Sequence, residues 1–302
     1  GRLSVCLNAT MDFAVAKEVF TNLLSACRTL GIERESWPRW EAMLASLPEY
    51  QINEDGALRE WMHPDFQDNY NHRHLSHLYP LFPGLEITEE TSPEWFAACK
   101  KAVEKRLAVG LKDQTGWSLA HMANIYARLG QGDEALKCLE LLVRSCLGDN
   151  LLTYHNDWRK QGITLDMKWG KGAPFQIEAN MGIVSAMLEM LVSSRPGLIK
   201  LLPALPKAWR RGAVRGVRCR GGIEVSLEWN ADEHRLKAVL VAVTATAGPM
   251  TIKFPSPPVR LEAGEGVSAA SEGASYRRVS FSVEREIVLE AIFSDAVAAI
   301  VN

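Results

Sequence analysis

The spacing of apolar residues changes once along this chain, after Arg195-Pro196-Gly197. Before that point apolar side chains recur at the three- and four-residue spacing of amphipathic helices, as in the run from Phe20 to Cys27. After it, short runs alternate between apolar and polar residues, as in Ile223 to Trp229, with Gly, Pro, Asn and Asp between them. The switch predicts an α+β multidomain protein, with a helical domain over residues 1–196 and a small antiparallel β-sandwich over residues 197–302.

The helical part divides into segments that short turns join in pairs, which is typical of an α/α barrel, an α/α solenoid or a helical repeat. No fixed period relates the pairs, so a helical-repeat interaction module is disfavoured. In the last segment Ile183, Ala186, Met187, Met190 and Leu191 are predicted to face the core. Helices are predicted up to Gly31, over Pro38–Leu47, from Pro93 through Leu107, and over Trp117–Leu129, Asp133–Leu147 and Ala179–Ser194.

Charge and composition exclude several classes of partner. The chain has 34 basic and 36 acidic side chains, so it lacks the basic excess that nucleic acid or an anionic membrane surface requires. No stretch approaches the roughly 20 apolar residues that span a bilayer. Four of the six cysteines, Cys27, Cys99, Cys138 and Cys146, occupy apolar helical positions and are predicted to be buried thiols. A neutral ligand such as a sugar fits this balance best, and the compartment stays open.

Two long polar segments, residues 48–83 and 148–176, interrupt the helices, and loops of this length in a compact domain are usually functional. The run from His72 to His77 in the first segment contains three histidines, but no carboxylate or thiolate stands at a matching spacing, so no metal is expected. We expect His72 and His77 to make buried hydrogen bonds that fix the loop. A guanidinium fork beside an imidazole can grip adjacent sugar hydroxyls, which makes Arg73-His74 the candidate binding pair.

The run from His72 to Gly84 resembles the His-Arg-His-x-Ser-His-Leu-x-x-Leu-x-Pro-Gly signature of glycoside hydrolase family 95, the inverting α-L-fucosidases and related α-L-galactosidases. Four further stretches resemble family elements in the same order along the chain. These are Arg59-Glu60-Trp61, Thr115 to Ala120, Pro174 to Gly182, and Leu201 to Trp209, which leads into the C-terminal β-domain.

The resemblance implies the later half of an (α/α)6 barrel followed by a β-sandwich. It also implies single-displacement hydrolysis of a terminal α-L-fucosyl or α-L-galactosyl residue, with inversion and no cofactor. Inverting enzymes hold their acid and base about 6.5–9.5 Å apart. Glu178 occupies the acidic position on the base side, where many relatives carry Asp.

The resemblance also assigns substrate contacts to Arg73, His74, Asn180, Trp117, Glu60 and Trp61. Residue chemistry alone leaves other interpretations open for three of them. Glu60 can pair with a nearby arginine, Trp117 can belong to the core, and Asn180 can cap a helix.

Two parts of the family's machinery have no counterpart in this sequence. The general acid belongs to an upstream Ser-Pro-Glu-Asn segment and the water-holding residues to an upstream Asn-x-Asn pair. Ser92-Pro93-Glu94 and Asn69-Tyr70-Asn71 match only superficially. We therefore expect the missing N-terminal half of the enzyme as partner, a fucosylated or L-galactosylated glycan as substrate, and little hydrolysis by this chain alone. The alternatives are a catalytically dead carbohydrate-binding or scaffolding remnant, and another α/α-barrel enzyme such as a phosphorylase or polysaccharide lyase.

Overall fold

A computed structural model gives the structure of this protein and describes residues 7–166, 172–244, 248–267, 275–281 and 286–294. The chain divides into two compact units. The first unit consists of Gly1–Ser118 and His155–Pro174, and the second unit of Leu119–Tyr154 and Phe175–Asn302.

Helices dominate the described part of the chain up to Leu191, and strands follow it. The helices are α1 (Thr10–Leu30), α2 (Trp37–Ala45), α3 (Pro93–Arg106), α4 (Gly116–Arg128), α5 (Gly132–Cys146) and α6 (Ile177–Leu191). The strands are β1 (Val192–Arg195), β2 (Leu198–Leu201), β3 (Arg211–Cys219), β4 (Ile223–Asn230), β5 (Arg235–Ala242), β6 (Met250–Lys253), β7 (Arg260–Ala263), β8 (Tyr276–Val279) and β9 (Glu286–Ile292). The prediction of a helical part followed by a mainly antiparallel sheet domain is confirmed.

In the first unit, α1 anchors the region that contains the histidine run. At the start of the helix the Thr10 amide donates to the Glu60 carbonyl at 2.9 Å, and the Thr10 hydroxyl donates to the Arg59 carbonyl at 2.6 Å. Further along, the Tyr79 hydroxyl donates to Glu18 Oε2 at 2.7 Å. Residues 59–60 and Tyr79, which flank the histidine run on its two sides, are therefore fixed to the same helix.

The helix α3 begins and ends close to its predicted limits. Pro93 opens it, because a proline at the first helical position loses no intrahelical hydrogen bond. Ser92 precedes Pro93, but its side chain makes no capping bond to the helix. The helix ends at Arg106, one residue before the predicted limit, and Leu107 is 51% exposed in the turn that follows.

In the second unit, polar side chains join α4 to α6. Nδ2 of the buried Asn124 side chain donates to the Gly182 carbonyl at 2.9 Å, and Asn124 Oδ1 accepts from the Ser185 hydroxyl at 2.8 Å. One turn further along, Arg128 pairs with Glu189. These contacts fix the register of the two helices against each other.

The helix α6 buries a narrower face than its sequence predicts. Ala179, Gly182, Ala186 and Met190 are buried, and they lie at helical spacing on one side. Met187 is 42% exposed, so the prediction that it faces the core is wrong. The apolar residues of α6 surround the helix on more than one side, and hydrophobicity alone therefore does not identify the buried face.

The predicted end of α6 at Ser194 is also wrong, because the helix stops at Leu191 and Val192–Arg195 forms β1. This strand pairs with β2 in antiparallel register, with Arg195 opposite Leu198. Pro196 and Gly197 form the two-residue turn, and Gly197 has φ +78°, as a type II turn requires at its third position. The boundary predicted at residues 196 and 197 therefore falls inside a hairpin, and the division of the chain at that point stays a prediction.

The described strands form two sheets in the second unit. One has the order β1-β2-β6-β8, in which β2 and β6 run parallel and the other pairs antiparallel. The other has the order β3-β4-β5-β9-β7 and is antiparallel throughout. Alternate residues of β4 are buried, as the sequence pattern predicts. Side chains from both sheets join one hydrophobic core, which includes Ile199, Val225, Leu240, Ile252 and Leu289.

Cys27, Cys99, Cys138 and Cys146 are buried free thiols, which confirms the prediction made for these four residues. Cys6 lies outside the described residues. None of the helices in the described ranges combines the length and the hydropathy that crossing a bilayer would require.

Candidate active site

The loop that carries Arg73 and His74 is held from both sides of Arg73. Arg106 Nη1 donates to the His72 carbonyl at 3.0 Å and also to the His74 carbonyl. On the other side of the same turn, the His74 amide donates to His72 Nδ1 at 3.1 Å. The loop backbone is therefore tied to the C-terminal end of α3 and to its own first histidine.

Glu60 balances the charge of Arg106. Arg106 is 2% exposed, and its Nη2 forms an ion pair with Glu60 Oε1. Glu60 Oε2 accepts a hydrogen bond from the backbone N–H of Asn69 at 2.9 Å. Both carboxylate oxygens of Glu60 are thus engaged within the protein, in the arginine pairing that the sequence left open. Its predicted contact with substrate stays a prediction.

His74 is electrically neutral near pH 7. Burial lowers its pKa from the usual 6.5 to about 4, and the positive charges of Arg73, His72, Arg106 and His155 add to this effect. A neutral imidazole has one N–H donor and one acceptor nitrogen, so it can bond to a sugar hydroxyl in either direction. Arg73 is partly buried beside it, and its Nε is buried without a hydrogen-bond partner.

The expectation for the other two histidines is only partly met. His77 is 5% exposed, as expected for a histidine that fixes a loop from inside. His72 does accept a hydrogen bond, but the residue is exposed, so the prediction that this bond is buried is wrong. In the part of the chain that the structure describes, no three His, Cys, Asp or Glu side chains lie close enough to hold a metal ion.

Trp61 and Trp117, the two predicted stacking residues, are partly buried in the first unit. Trp61 meets the Phe66 ring edge-on, with the centroids 6.1 Å apart. Trp117 lies in the first turn of α4, where Thr115 and Ser118 cap the helix reciprocally, since each backbone amide donates to the hydroxyl of the other residue. Neither indole is sealed in the core, so both retain surface for a sugar ring. Their contact with substrate stays a prediction.

Two polar residues of the second long loop belong to none of the motifs identified in the sequence. Asn156 and Asp157 are buried in the first unit, and each has one side-chain oxygen, Oδ1, that is buried without a hydrogen-bond partner. Asp157 Oδ2 accepts from the Ile163 amide at 3.0 Å. Buried polar atoms usually have hydrogen-bond partners. These two oxygens therefore mark a site where water or a ligand hydroxyl can donate the missing hydrogen bonds. The length and polarity of residues 148–176 were the signal available in the sequence.

Glu178 and Asn180 belong to the second unit. Glu178 is exposed in the first turn of α6, where the partial positive charge of the helix N-terminus stabilises a carboxylate. Asn180 Oδ1 accepts from the Thr153 amide at 2.9 Å, and its Nδ2 donates to the Leu151 carbonyl at 2.8 Å. Asn180 thus holds the 151–153 loop against α6. The predicted convergence of Glu178 with Arg73 and His74 joins different units and stays a prediction.

Comparison with known proteins assigns both parts of the chain to one family. The sequence model described as the glycosyl hydrolase family 95 catalytic domain matches residues 1–191. The model described as the glycoside hydrolase family 95, C-terminal domain, matches residues 193–288. The passage from one match to the other coincides with the change from α6 to β1.

Curated relatives carry fucosidase names and are much longer than this chain. It is 39% identical over 229 residues to alpha-L-fucosidase 2 of Arabidopsis thaliana, an alignment that covers 75% of this chain and 26% of that protein. It is 31% identical over 207 residues to the probable alpha-fucosidase A of Aspergillus oryzae, covering 63% and 27%. The chain therefore spans about a quarter of the length of these relatives.

A solved structure shares the fold at low sequence identity. The crystal structure of Streptomyces avermitilis alpha-L-rhamnosidase complexed with L-rhamnose matches 92% of this chain and 26% of that chain, with a TM-score of 0.51 and 12% identity. At this identity the likeness concerns the fold alone. The catalytic-domain match over residues 1–191 and the adjoining C-terminal match together cover most of the sequence, and the chain belongs to glycoside hydrolase family 95.

Proposed function

We propose that this chain provides the sugar-gripping residues and the base side of an inverting α-L-fucosidase-type active site. In this proposal the helices form the later half of an (α/α)6 barrel and the two sheets form the β-sandwich behind it. The observation that carries the proposal is the Arg73-His74 dipeptide, because a guanidinium with a vacant buried Nε stands beside a neutral imidazole on a braced loop. The substrate is a terminal α-L-fucosyl or α-L-galactosyl residue of a glycan.

The chemistry follows from the inverting geometry. Arg73 and His74 bond to adjacent ring hydroxyls and fix the sugar, and Trp61 or Trp117 covers one of its apolar faces. Glu178 acts on the base side and takes the proton of a water that attacks the anomeric carbon, while an acid on the opposite side protonates the leaving oxygen. That acid corresponds to the Ser-Pro-Glu-Asn segment of the family, which this sequence lacks.

We therefore propose that the chain acts together with the remaining N-terminal part of the enzyme. An exposed apolar stripe on α6 supports this proposal. Ile177, Met181, Val184 and Leu188 follow one another at spacings of four, three and four residues, and are 47%, 64%, 57% and 38% exposed. A stripe at this spacing is the seam along which two helices pack. Phe175, 51% exposed, extends it beyond the start of the helix.

Sugar binding by this chain tests the proposal directly. Titration calorimetry with L-fucose should give a measurable affinity, and Arg73→Ala should weaken it about tenfold or more, since a charged hydrogen bond is lost. The matched control is Arg39→Ala, which removes an exposed arginine from α2. Equal affinities for wild type and Arg73→Ala would refute the assignment of the gripping pair.

Turnover separates an incomplete enzyme from a catalytically dead binding remnant. The chain alone should not hydrolyse an aryl α-L-fucoside, and measurable hydrolysis would contradict the proposal that the acid lies elsewhere. Hydrolysis that appears when the N-terminal part is supplied, and that Glu178→Gln abolishes, would support the enzyme. A dead remnant would bind L-fucose but stay inactive in that mixture.

A further inference from the structure

Among the described residues, Arg106 has the largest fully buried side chain. It belongs to none of the family motifs found in the sequence. It is the last residue of α3, on the same buried face as Cys99, Ala102 and Val103. Its guanidinium contacts the carbonyls of His72 and His74 and the carboxylate of Glu60. One buried arginine thus joins the end of a rigid helix, the loop of the histidine run and the segment before it.

These contacts act on the two peptide units that enclose Arg73 and His74. The carbonyl of His72 belongs to the peptide that enters Arg73, and the carbonyl of His74 to the peptide that leaves His74. Fixing both carbonyls on one nitrogen restricts the backbone dihedral angles of the two residues between them. Those angles set the directions in which both side chains leave the backbone.

Burial of a charged group is costly unless it is paired and hydrogen-bonded, and an apolar residue would fill the same space without that cost. Glu60 supplies the opposite charge, and Glu60 is itself held by the Asn69 amide at 2.9 Å. Arg106 and Glu60 both form hydrogen bonds to the loop backbone, and an apolar side chain could not form them.

We propose that Arg106, with Glu60 as its counter-ion, is a positioning residue for sugar recognition that holds Arg73 and His74 in their binding geometry. This inference rests on the proposed role of Arg73 and His74 as the sugar-gripping pair. It also gives Glu60 a defined task away from the sugar.

The test compares three substitutions with one matched control. Arg106→Met removes both the charge and the guanidinium donors. Arg106→Lys keeps the charge but loses the planar arrangement of donors, and Glu60→Gln removes the charge of the counter-ion. The control is Arg128→Met, which breaks a comparable arginine–glutamate pair in the second unit. For each variant we would measure L-fucose affinity, hydrogen exchange of the amides at residues 73–75, and the pKa of His74 by NMR titration.

Arg106→Met should weaken L-fucose binding about tenfold or more, speed exchange of the His74 amide, and raise the pKa of His74, because a nearby positive charge is lost. Arg106→Lys should weaken binding and speed exchange while the pKa of His74 stays low. Glu60→Gln should fall between wild type and Arg106→Met in affinity. Arg128→Met should lower stability while leaving all three quantities unchanged.

A folded Arg106→Met protein with wild-type affinity and wild-type exchange would overturn the inference. If that variant does not fold, Arg106→Lys and Glu60→Gln decide, and wild-type values in both would equally overturn it. If the wild-type chain does not bind L-fucose at all, the proposed function fails. Exchange and the pKa of His74 then still show whether Arg106 holds the loop.

Discussion

Arg128 and Glu189 meet through two parallel hydrogen bonds, from Nε to Oε2 and from Nη2 to Oε1, both 2.7 Å long. The pair joins α4 to α6, and both side chains are largely shielded from solvent. A bidentate ion pair of this kind fixes the relative orientation of the two side chains as well as neutralising their charges, because the guanidinium plane must align with the carboxylate.

Glu189→Gln should therefore destabilise the protein by about 2 kcal/mol, since one charged partner of a shielded pair is lost. The matched control is Glu134→Gln on α5, whose carboxylate pairs with Lys137 in solvent. Exposed pairs contribute about 0–1 kcal/mol, so that variant should change little. Urea unfolding of the three proteins checks the prediction, and equal losses for both variants would contradict it.

Gly132 at the start of α5 should not tolerate a side chain. A Cβ at this position would lie 2.3 Å from the Ala204 carbonyl oxygen and 2.9 Å from the Leu205 carbonyl carbon. Since both are backbone atoms, the chain itself must move, and overpacking of this kind costs about 1–3 kcal/mol. Gly132→Ala should lower the unfolding midpoint, whereas Gly248→Ala, with nothing within 4 Å of its Cβ, should leave it nearly unchanged.

His74 should make the stability of the protein sensitive to mild acid. Its pKa in the fold is about 4, below the usual 6.5, so the unfolded chain binds the proton more readily. The stability contribution is complete above pH 6.5 and is lost as pH falls from 6.5 toward 4.

NMR titration should show His74 still neutral at pH 5.5. In urea unfolding, His74→Gln should lose less stability than wild type between pH 7 and pH 5. An imidazole that titrates near pH 6.5 in the folded protein would contradict this prediction.

The exposed stripe of α6 should make the isolated chain bind apolar dyes and self-associate. Met181→Glu combined with Val184→Glu should reduce both, because two charges are placed in the middle of the stripe. Val259→Glu is the control, since Val259 is 66% exposed in the β-domain, away from α6 in sequence. Dye fluorescence and sedimentation velocity measure the effect, and an equal reduction by the control would show that the stripe has no special role.

The elements that the sequence predicted well are those with a simple period. Ile223, Val225, Leu227 and Trp229 alternate with polar residues, and β4 buries them as the pattern requires. The end of α6 was mispredicted because apolar residues continue through Leu191 and Val192. A helix boundary within such a run depends on the hairpin pairing of β1 with β2, which the apolar spacing around Leu191 does not show.

In the candidate site, likewise, the sequence identifies some residues and the tertiary fold is needed for others. Arg73 and His74 stand out in sequence because their motif is contiguous. Arg106 does not, although it lies three residues after Val103 and seven after Cys99, on the spacing of a buried face. Its counter-ion Glu60 is 46 residues earlier in the chain, so only the tertiary fold reveals what that arginine contacts.

The helix α6 carries Glu178 in its first turn and the apolar stripe along the same exposed length. A protein that packs along Ile177 and Met181 must pass within a helical turn of that carboxylate. Desolvation of the stripe and enclosure of the proposed base would then occur in a single association event. Carbodiimide labelling of Glu178 would accordingly report whether the stripe is covered, independently of any sugar.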